Sequence, residues 1–237
     1  MWLNFGFKHK LVQVSEWIMS YDMETKRIIK FISRYCHTDS YILDVGCGYG
    51  RNIKTLHSFG FDRVMGVEKN LKIVKAVCEE GYNCLSLDEF VKLNIQFDVV
   101  LISHVIEHYS PDSLLNFIDT YLDRLLPGGI LIIATPVIGK IFYDDFDHIK
   151  PYMPTGIIHV FGKSTAQVQY YSRNKIELID LWFRRGFHKI TYHKGAYIKS
   201  PSTLLIRFIN IFNALIFRIS FGFYGKVDGW VGVFKKC

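Results

Sequence analysis

The densest chemical signal in this chain is Ile42-Leu43-Asp44-Val45-Gly46-Cys47-Gly48-Tyr49-Gly50, an apolar run that delivers a carboxylate and then three glycines at alternate positions. Glycine has no Cβ, so the backbone there can turn sharply and come close to a ligand. In an open α/β sheet, ligands bind beyond the carboxyl ends of the strands, where this loop would lie. Arg51 stands where a dinucleotide fingerprint requires its third glycine, which weakens a pyrophosphate-binding reading. The next apolar run, Val64-Met65-Gly66-Val67, ends in Glu68, 20 residues after Gly48. A carboxylate there can accept hydrogen bonds from both hydroxyls of a ribose, so the two motifs together fit an adenosine-containing cofactor.

Such a loop needs a strand before it and a helix after it, and the hydrophobic pattern supplies both. Short apolar runs at 41–45, 63–67, 82–86, 97–103 and 130–135 alternate with helical patterns at 51–59, 71–80 and 113–126, the signature of a parallel sheet covered by helices. Pro127-Gly128-Gly129 is expected to close the last of these helices. A helix at 23–35 precedes the sheet, and Asp98 is expected to close a turn or cap its strand. The length of 237 residues suits one domain: a helical segment at 1–39, a cofactor-binding core at 40–135, a substrate-side insertion at 136–172 and an apolar helical insertion at 200–226. The five cysteines are odd in number and form no Cys-x-x-Cys pair, so neither a disulfide framework nor a zinc site is expected. His104 and His108 are four apart with no third ligand of the kind zinc needs nearby, and no metal is expected there either. The N-terminus lacks the pattern of a secretory signal, which points to a cytoplasmic protein.

The motifs Ile42 to Gly50, Glu68, Phe97-Asp98-Val99-Val100, Val105-Ile106-Glu107-His108 and Leu126-Pro127-Gly128-Gly129 resemble, in order and spacing, those of the class I S-adenosylmethionine-dependent methyltransferases. The Glu-His pair is similar to the small-molecule branch that includes the ubiquinone-biosynthesis O-methyltransferases. The resemblance covers roughly 40–136. It implies a Rossmann-like, mostly parallel seven-stranded sheet with helices on both faces and an antiparallel final strand, expected at 228–235 beside a strand at 188–199. It implies S-adenosylmethionine as cofactor, with Asp44, Gly46, Cys47, Gly48 and Gly50 around its methionine and ribose portions, Glu68 on the ribose, Asp88 or its neighbour Leu87 at the adenine, and Ser103 at the end of the fourth strand. For Asp44 the alternative is a purely structural bond to the glycine loop.

In that family the region after the fifth strand forms part of the acceptor pocket, and Asp145-x-x-His148-x-Lys150-Pro151-Tyr152 resembles a pattern found there. His108, His148 and Asp145 are therefore candidates for the base or for orienting the acceptor. The alternatives are a packed His108 and an Asp147–His148 pair that braces the turn before Pro151. Tyr152, Tyr170 and Tyr171 are expected in pocket walls or core. The implied reaction moves a methyl group by in-line displacement to a small molecule, such as a hydroxyl of a saccharide, isoprenoid or lipid-linked compound. The alternatives are an NAD(P)-binding oxidoreductase and a silent binding module that shares the fold.

The charge is uneven. Residues 1–172 carry 17 Lys+Arg against 19 Asp+Glu, whereas 173–237 carry 12 against 3. No nucleic-acid motif accompanies this excess, and no nucleic-acid partner is expected. Within the basic region, 203–223 reads as a helix with Arg207, Asn210, Ala214 and Arg218 on one narrow face and apolar side chains over the rest. That pattern suits a helix in a membrane interface or over a lipidic acceptor, and equally one packed on the domain or on a second subunit of a homo-oligomer.

Overall fold

The computed structural model describes residues 23–139, 142–163 and 167–237; the reading of the extreme N-terminus lies outside them. Two compact units are present: Glu24–Phe183 with Gly229–Cys237, and a smaller one whose described residues are Met23 and Arg184–Asp228.

The larger unit begins with α1 (Glu24–Tyr35), whose Ile28, Ile29, Phe31 and Ile32 are buried at helical spacing. Next in the chain are β1 (Ile42–Val45), α2 (Arg51–Ser58), β2 (Val64–Glu68), α3 (Leu71–Glu79), β3 (Cys84–Ser86), α4 (Leu87–Lys92), β4 (Phe97–Ser103), a 3-10 turn (Ile106–His108), α5 (Pro111–Asp123) and β5 (Leu125–Pro136). Beyond these come a 3-10 turn (Phe142–Asp144), α6 (Pro154–Phe161), β6 (Ile176–Gly186), α7 (Lys194–Tyr197), α8 (Ser202–Ile219) and β7 (Lys226–Lys236). The sheet has seven strands in the order β3-β2-β1-β4-β5-β7-β6. β1 is parallel to β2 and β4, β2 to β3 and β4 to β5, whereas β7 runs antiparallel to β5 with Val231 opposite Ala134.

Strand alternation sorts the core into two layers. Leu43, Val45, Val100, Ile102, Leu131 and Ile133 face one side, where they meet Ile118 and Leu122 of α5. Ile42, Val99, Leu101, Ile130, Ile132 and Ala134 face the other, with Ile28 and Ile32 of α1 and Ile53 and Leu56 of α2. Parallel register sets Val45 opposite both Val67 and Ile102. The next residue on each strand, Gly46, Glu68 and Ser103, therefore emerges along one edge of the sheet.

Two expectations are corrected. The strand expected at 188–199 is instead β6, which ends at Gly186; in its place His193 accepts a hydrogen bond from Gly195 N at 3.0 Å and starts the short α7. A side chain bonded to its own backbone competes with a sheet ladder, and Gly195 offers no side chain to pack. The helix expected to reach 126 stops at Asp123, and Pro127-Gly128-Gly129 lies inside β5. A Cβ on Gly129 would stand 3.0 Å from Asp98 O and 2.8 Å from Leu126 O, so glycine here permits close backbone approach and does not cap a helix.

In the smaller unit α8 turns Ile206, Asn210, Ala214 and Phe217 inward. Of the narrow face read from the sequence, Asn210 and Ala214 are thus buried, whereas Arg207 is exposed. Asn210 holds Ile190 from both sides, its Oδ1 accepting from Ile190 N at 2.8 Å and its Nδ2 donating to Ile190 O at 3.3 Å.

Candidate cofactor and acceptor site

Along the carboxyl edge of β1, β2 and β4 opens a cavity of about 510 Å³ lined by Gly46, Glu68, Leu87, His104, Val105 and His108, with Tyr109, Phe117, Asp147 and Ile149 among its remaining walls. On the cofactor side the glycine loop takes a path that an ordinary residue would resist. Gly46, Gly48 and Gly50 all have left-handed φ, and a Cβ on Gly46 would lie 2.6 Å from Val105 Cγ2. Glu68 clamps the loop: its Oε2 accepts from Gly48 N at 3.2 Å and its Oε1 from Asn70 N at 3.0 Å. Each carboxylate oxygen keeps a further lone pair for a hydroxyl.

Beneath the loop Asp44 is buried, with Oδ1 accepting from Asn52 Nδ2 at 3.4 Å and Oδ2 left without a hydrogen-bond partner. Burial pushes its pKa up to about 7, against the smaller opposing effects of Asn52 and Arg51. An orphaned carboxylate oxygen below a Cβ-free cradle fits a cationic nucleoside cofactor. Cys47 is buried beside the loop with its Sγ 3.5 Å from Cys84 Sγ.

The opposite wall is built on β4's exit. His104, in the left-handed region at φ 56°, sets Nε2 2.7 Å from Glu24 Oε1 and Nδ1 3.3 Å from Glu107 Oε1. Burial opposes its charge, but the two carboxylates, themselves buried, outweigh that cost and raise its pKa to about 9. Glu107 also ties this wall to β5 and to the loop beyond it: its Oε2 accepts from Thr135 Oγ1 at 3.0 Å, and its backbone oxygen accepts from Ile149 N at 2.8 Å and Lys150 N at 3.2 Å.

Those bonds bring the segment after β5 onto the turn that carries His108. The rings of His108 and His148 are 5.0 Å apart, and Asp145 Oδ2 lies 3.6 Å from His148 Nε2. His108 Nδ1 is 3.1 Å from Asp147 O, and His148 Nδ1 is 2.7 Å from Phe142 O. A carbonyl only accepts, so in each neutral ring Nδ1 holds the proton and Nε2 keeps the lone pair. Of the two, His108 lines the cavity. Among the described residues, Glu107, His108 and His148 also place ligand-capable atoms within 4.8 Å of one another, a grouping with no cysteine and no regular spacing to mark it in the sequence.

With this geometry in place, comparison with known proteins is decisive at the level of family. A family model described as "Methyltransferase domain" matches residues 19–189. The chain belongs to the methyltransferase-domain family. A ubiquinone biosynthesis O-methyltransferase of Dictyostelium discoideum is 27% identical over 59% of this chain and 50% of its own length. An N-terminal Xaa-Pro-Lys N-methyltransferase of Xenopus tropicalis is 30% identical over 50% of this chain and 60% of its own. The chain thus spans about half or somewhat more of the length of these curated relatives. Among solved structures, a SAM-dependent methyltransferase from Archaeoglobus fulgidus matches with a TM-score of 0.54 and 23% identity, covering 90% of this chain and 95% of that one. Coclaurine N-methyltransferase, bound to N-methylheliamine and SAH, also matches with a TM-score of 0.54, at 13% identity over 92% and 75% of the two chains. The fold is therefore the class I, Rossmann-like one.

Within this methyltransferase domain, the structure places Gly46, Glu68 and His108 on the cavity, with Asp145 and His148 grouped behind His108. Leu87 is on the cavity wall, while Asp88 sits exposed in the first turn of α4, outside the lining. Ser103 is buried with its Oγ lacking a hydrogen-bond partner. Asp98 accepts from Tyr41 N at 2.7 Å, a structural bond at the strand's start. Tyr152 and Tyr170 line a second cavity of about 620 Å³ with Lys150, Met153 and Ile157. The Glu24–His104–Glu107 network has no sequence signature, because 80 residues separate Glu24 from His104.

Proposed function

We propose that this methyltransferase domain uses S-adenosylmethionine to methylate a hydroxyl of a small molecule, of the saccharide, isoprenoid or lipid-linked kind, in the cytoplasm or at a membrane surface. The observation that carries the reading is one continuous cavity with a ribose-competent carboxylate, Glu68, on one wall and a histidine with an open Nε2, His108, on another. When bound, the cofactor supplies an electrophilic methyl group and a good leaving group. Gly46 and Gly48 let the backbone approach it, Glu68 holds the ribose, and Asp44 offers the buried negative end for its cationic portion. His108 Nε2 takes the acceptor's proton while Asp147 O fixes the ring, and His148 and Asp145 hold the neighbouring positions. Val105, Tyr109, Phe117 and Ile149 exclude water and confine the acceptor.

The likeness to an N-terminal protein methyltransferase favours a second acceptor class, an amine. One experiment separates the two: incubation with methyl-labelled S-adenosylmethionine and a cell extract fractionated into small metabolites, lipids and protein. The proposal expects label in metabolites or lipids as a base-stable ether. Label confined to protein would replace it with the amine reading.

A further inference from the structure

α8 presents its more apolar face outward. Its inward side carries the polar Asn210 and the small Ala214, whereas Leu204, Phe208, Phe212 and Ile219 are 78%, 68%, 53% and 77% exposed, and Phe221 and Phe223 just beyond its end are 89% and 84% exposed. The helix cannot roll to hide that stripe without giving up the two Asn210 bonds to Ile190 and the 2.8 Å bond from Asn213 Nδ2 to His188 O. Single exposed apolar residues are ordinary, but a continuous stripe of this size marks a contact surface.

Charge identifies the occupant. Residues 184–228 hold eight Lys+Arg against a single acid, Asp228, a balance of +7 that equals the net charge of the entire chain. We propose that the outward face of α8 docks onto an anionic lipid bilayer, with Phe208, Phe212 and Ile219 among the acyl chains and the surrounding cations at the headgroups. A second copy of the chain is disfavoured by the same charge, since a two-fold interface would set this basic stretch against itself. The first 22 residues carry Lys8 and Lys10 against Glu16 and Asp22 and so bring no net negative charge to this basic region. A soluble polyanion would leave the apolar stripe unused. By length and composition alone α8 could cross a bilayer, but it carries Arg207 and Arg218 and is tied by Asn210 and Asn213 to the backbone beside it, bonds that a spanning helix would have to give up. The inference stands apart from the methyl-transfer reading, because none of these residues lines the catalytic cavity.

The test is cosedimentation of the full chain with vesicles of phosphatidylcholine, with or without phosphatidylglycerol, at low and high salt. Binding is expected to need phosphatidylglycerol and to fall with salt. Phe208→Ser with Phe212→Ser is expected to weaken it by at least about tenfold, because each ring withdraws apolar area from lipid. Lys194→Gln, Lys199→Gln and Arg207→Gln combined are expected to cost roughly fivefold per charge. Both variants alter exposed positions, and unchanged melting temperature and S-adenosylhomocysteine affinity confirm that they are folded. Wild-type protein that stays in the supernatant at low salt overturns the proposal, as does undiminished binding in either variant. Self-association through this face without lipid binding would assign it to a second copy and overturn it equally.

Discussion

Replacing Glu68 by alanine perturbs the cofactor wall at its most exposed assumption. In the structure the two oxygens of Glu68 already accept from Gly48 N and Asn70 N, at 3.2 and 3.0 Å, so the carboxylate is fixed in place before any ligand arrives. The ribose hydroxyls would then meet a pre-oriented, charged acceptor, and hydrogen bonds to charged groups each contribute about 1.5–3 kcal/mol. Part of that is recovered when water solvates the freed hydroxyls in the mutant cavity. A net loss of about 2 kcal/mol is expected, which is roughly a 30-fold rise in Kd. Isothermal titration with S-adenosylhomocysteine measures it without turnover. Because the mutation also orphans two backbone N–H groups, a lower melting temperature is expected alongside, and Glu68→Gln separates the effects by keeping shape while removing charge. A Kd for Glu68→Ala within twofold of wild type would refute the ribose assignment.

His108→Ala should slow methyl transfer by about 10² to 10⁴ and leave cofactor affinity nearly intact, as loss of a general base does; single-turnover rates across pH check this, and an unchanged rate would leave alignment alone as the catalytic device. For Asp44 the folded pKa is raised from 3.8 to about 7, so the folded chain holds a proton that the unfolded chain releases, and stability contributed here falls as pH rises through that window. Asp44→Asn should therefore melt higher than wild type at pH 8 and equal to it near pH 4 when monitored by calorimetry. His104 has linkage of the same sign in a higher window: its pKa is raised from 6.5 to about 9, so its contribution is complete below 6.5 and is lost as pH climbs through 9. The decline in melting temperature between those values should be absent from His104→Asn.

Much of the geometry of the candidate cofactor site is legible in the sequence because its parts are local. A glycine loop directly after one strand and a carboxylate closing the next need only parallel register to meet, and that register is what β1 and β2 adopt. The candidate acceptor side is legible only in part: His108 and the Asp145–His148 cluster stand out by residue type, while the backbone bonds from Ile149 and Lys150 to Glu107 that join them depend on how a loop returns to the sheet. Glu24 gave no signal, since nothing in an acidic residue opening a helix distinguishes a cap from a partner of His104. The glycines at 128 and 129 misled because breaking a helix and admitting a neighbouring strand call for the same residue. For α8, the periodicity identified a helix but not its orientation, which Asn210 decides by reaching inward to Ile190.

A crystal of the protein grown with S-adenosylhomocysteine would show outright whether the nucleoside lies against Glu68. The ribose hydroxyls are expected within hydrogen-bonding distance of Glu68, the backbone of Gly46 and Gly48 against the amino-acid portion, and the sulfur facing the side of the cavity where His108 stands. A nucleoside bound elsewhere, or one in this cavity with its ribose turned away from Glu68 and its sulfur away from His108, would contradict it.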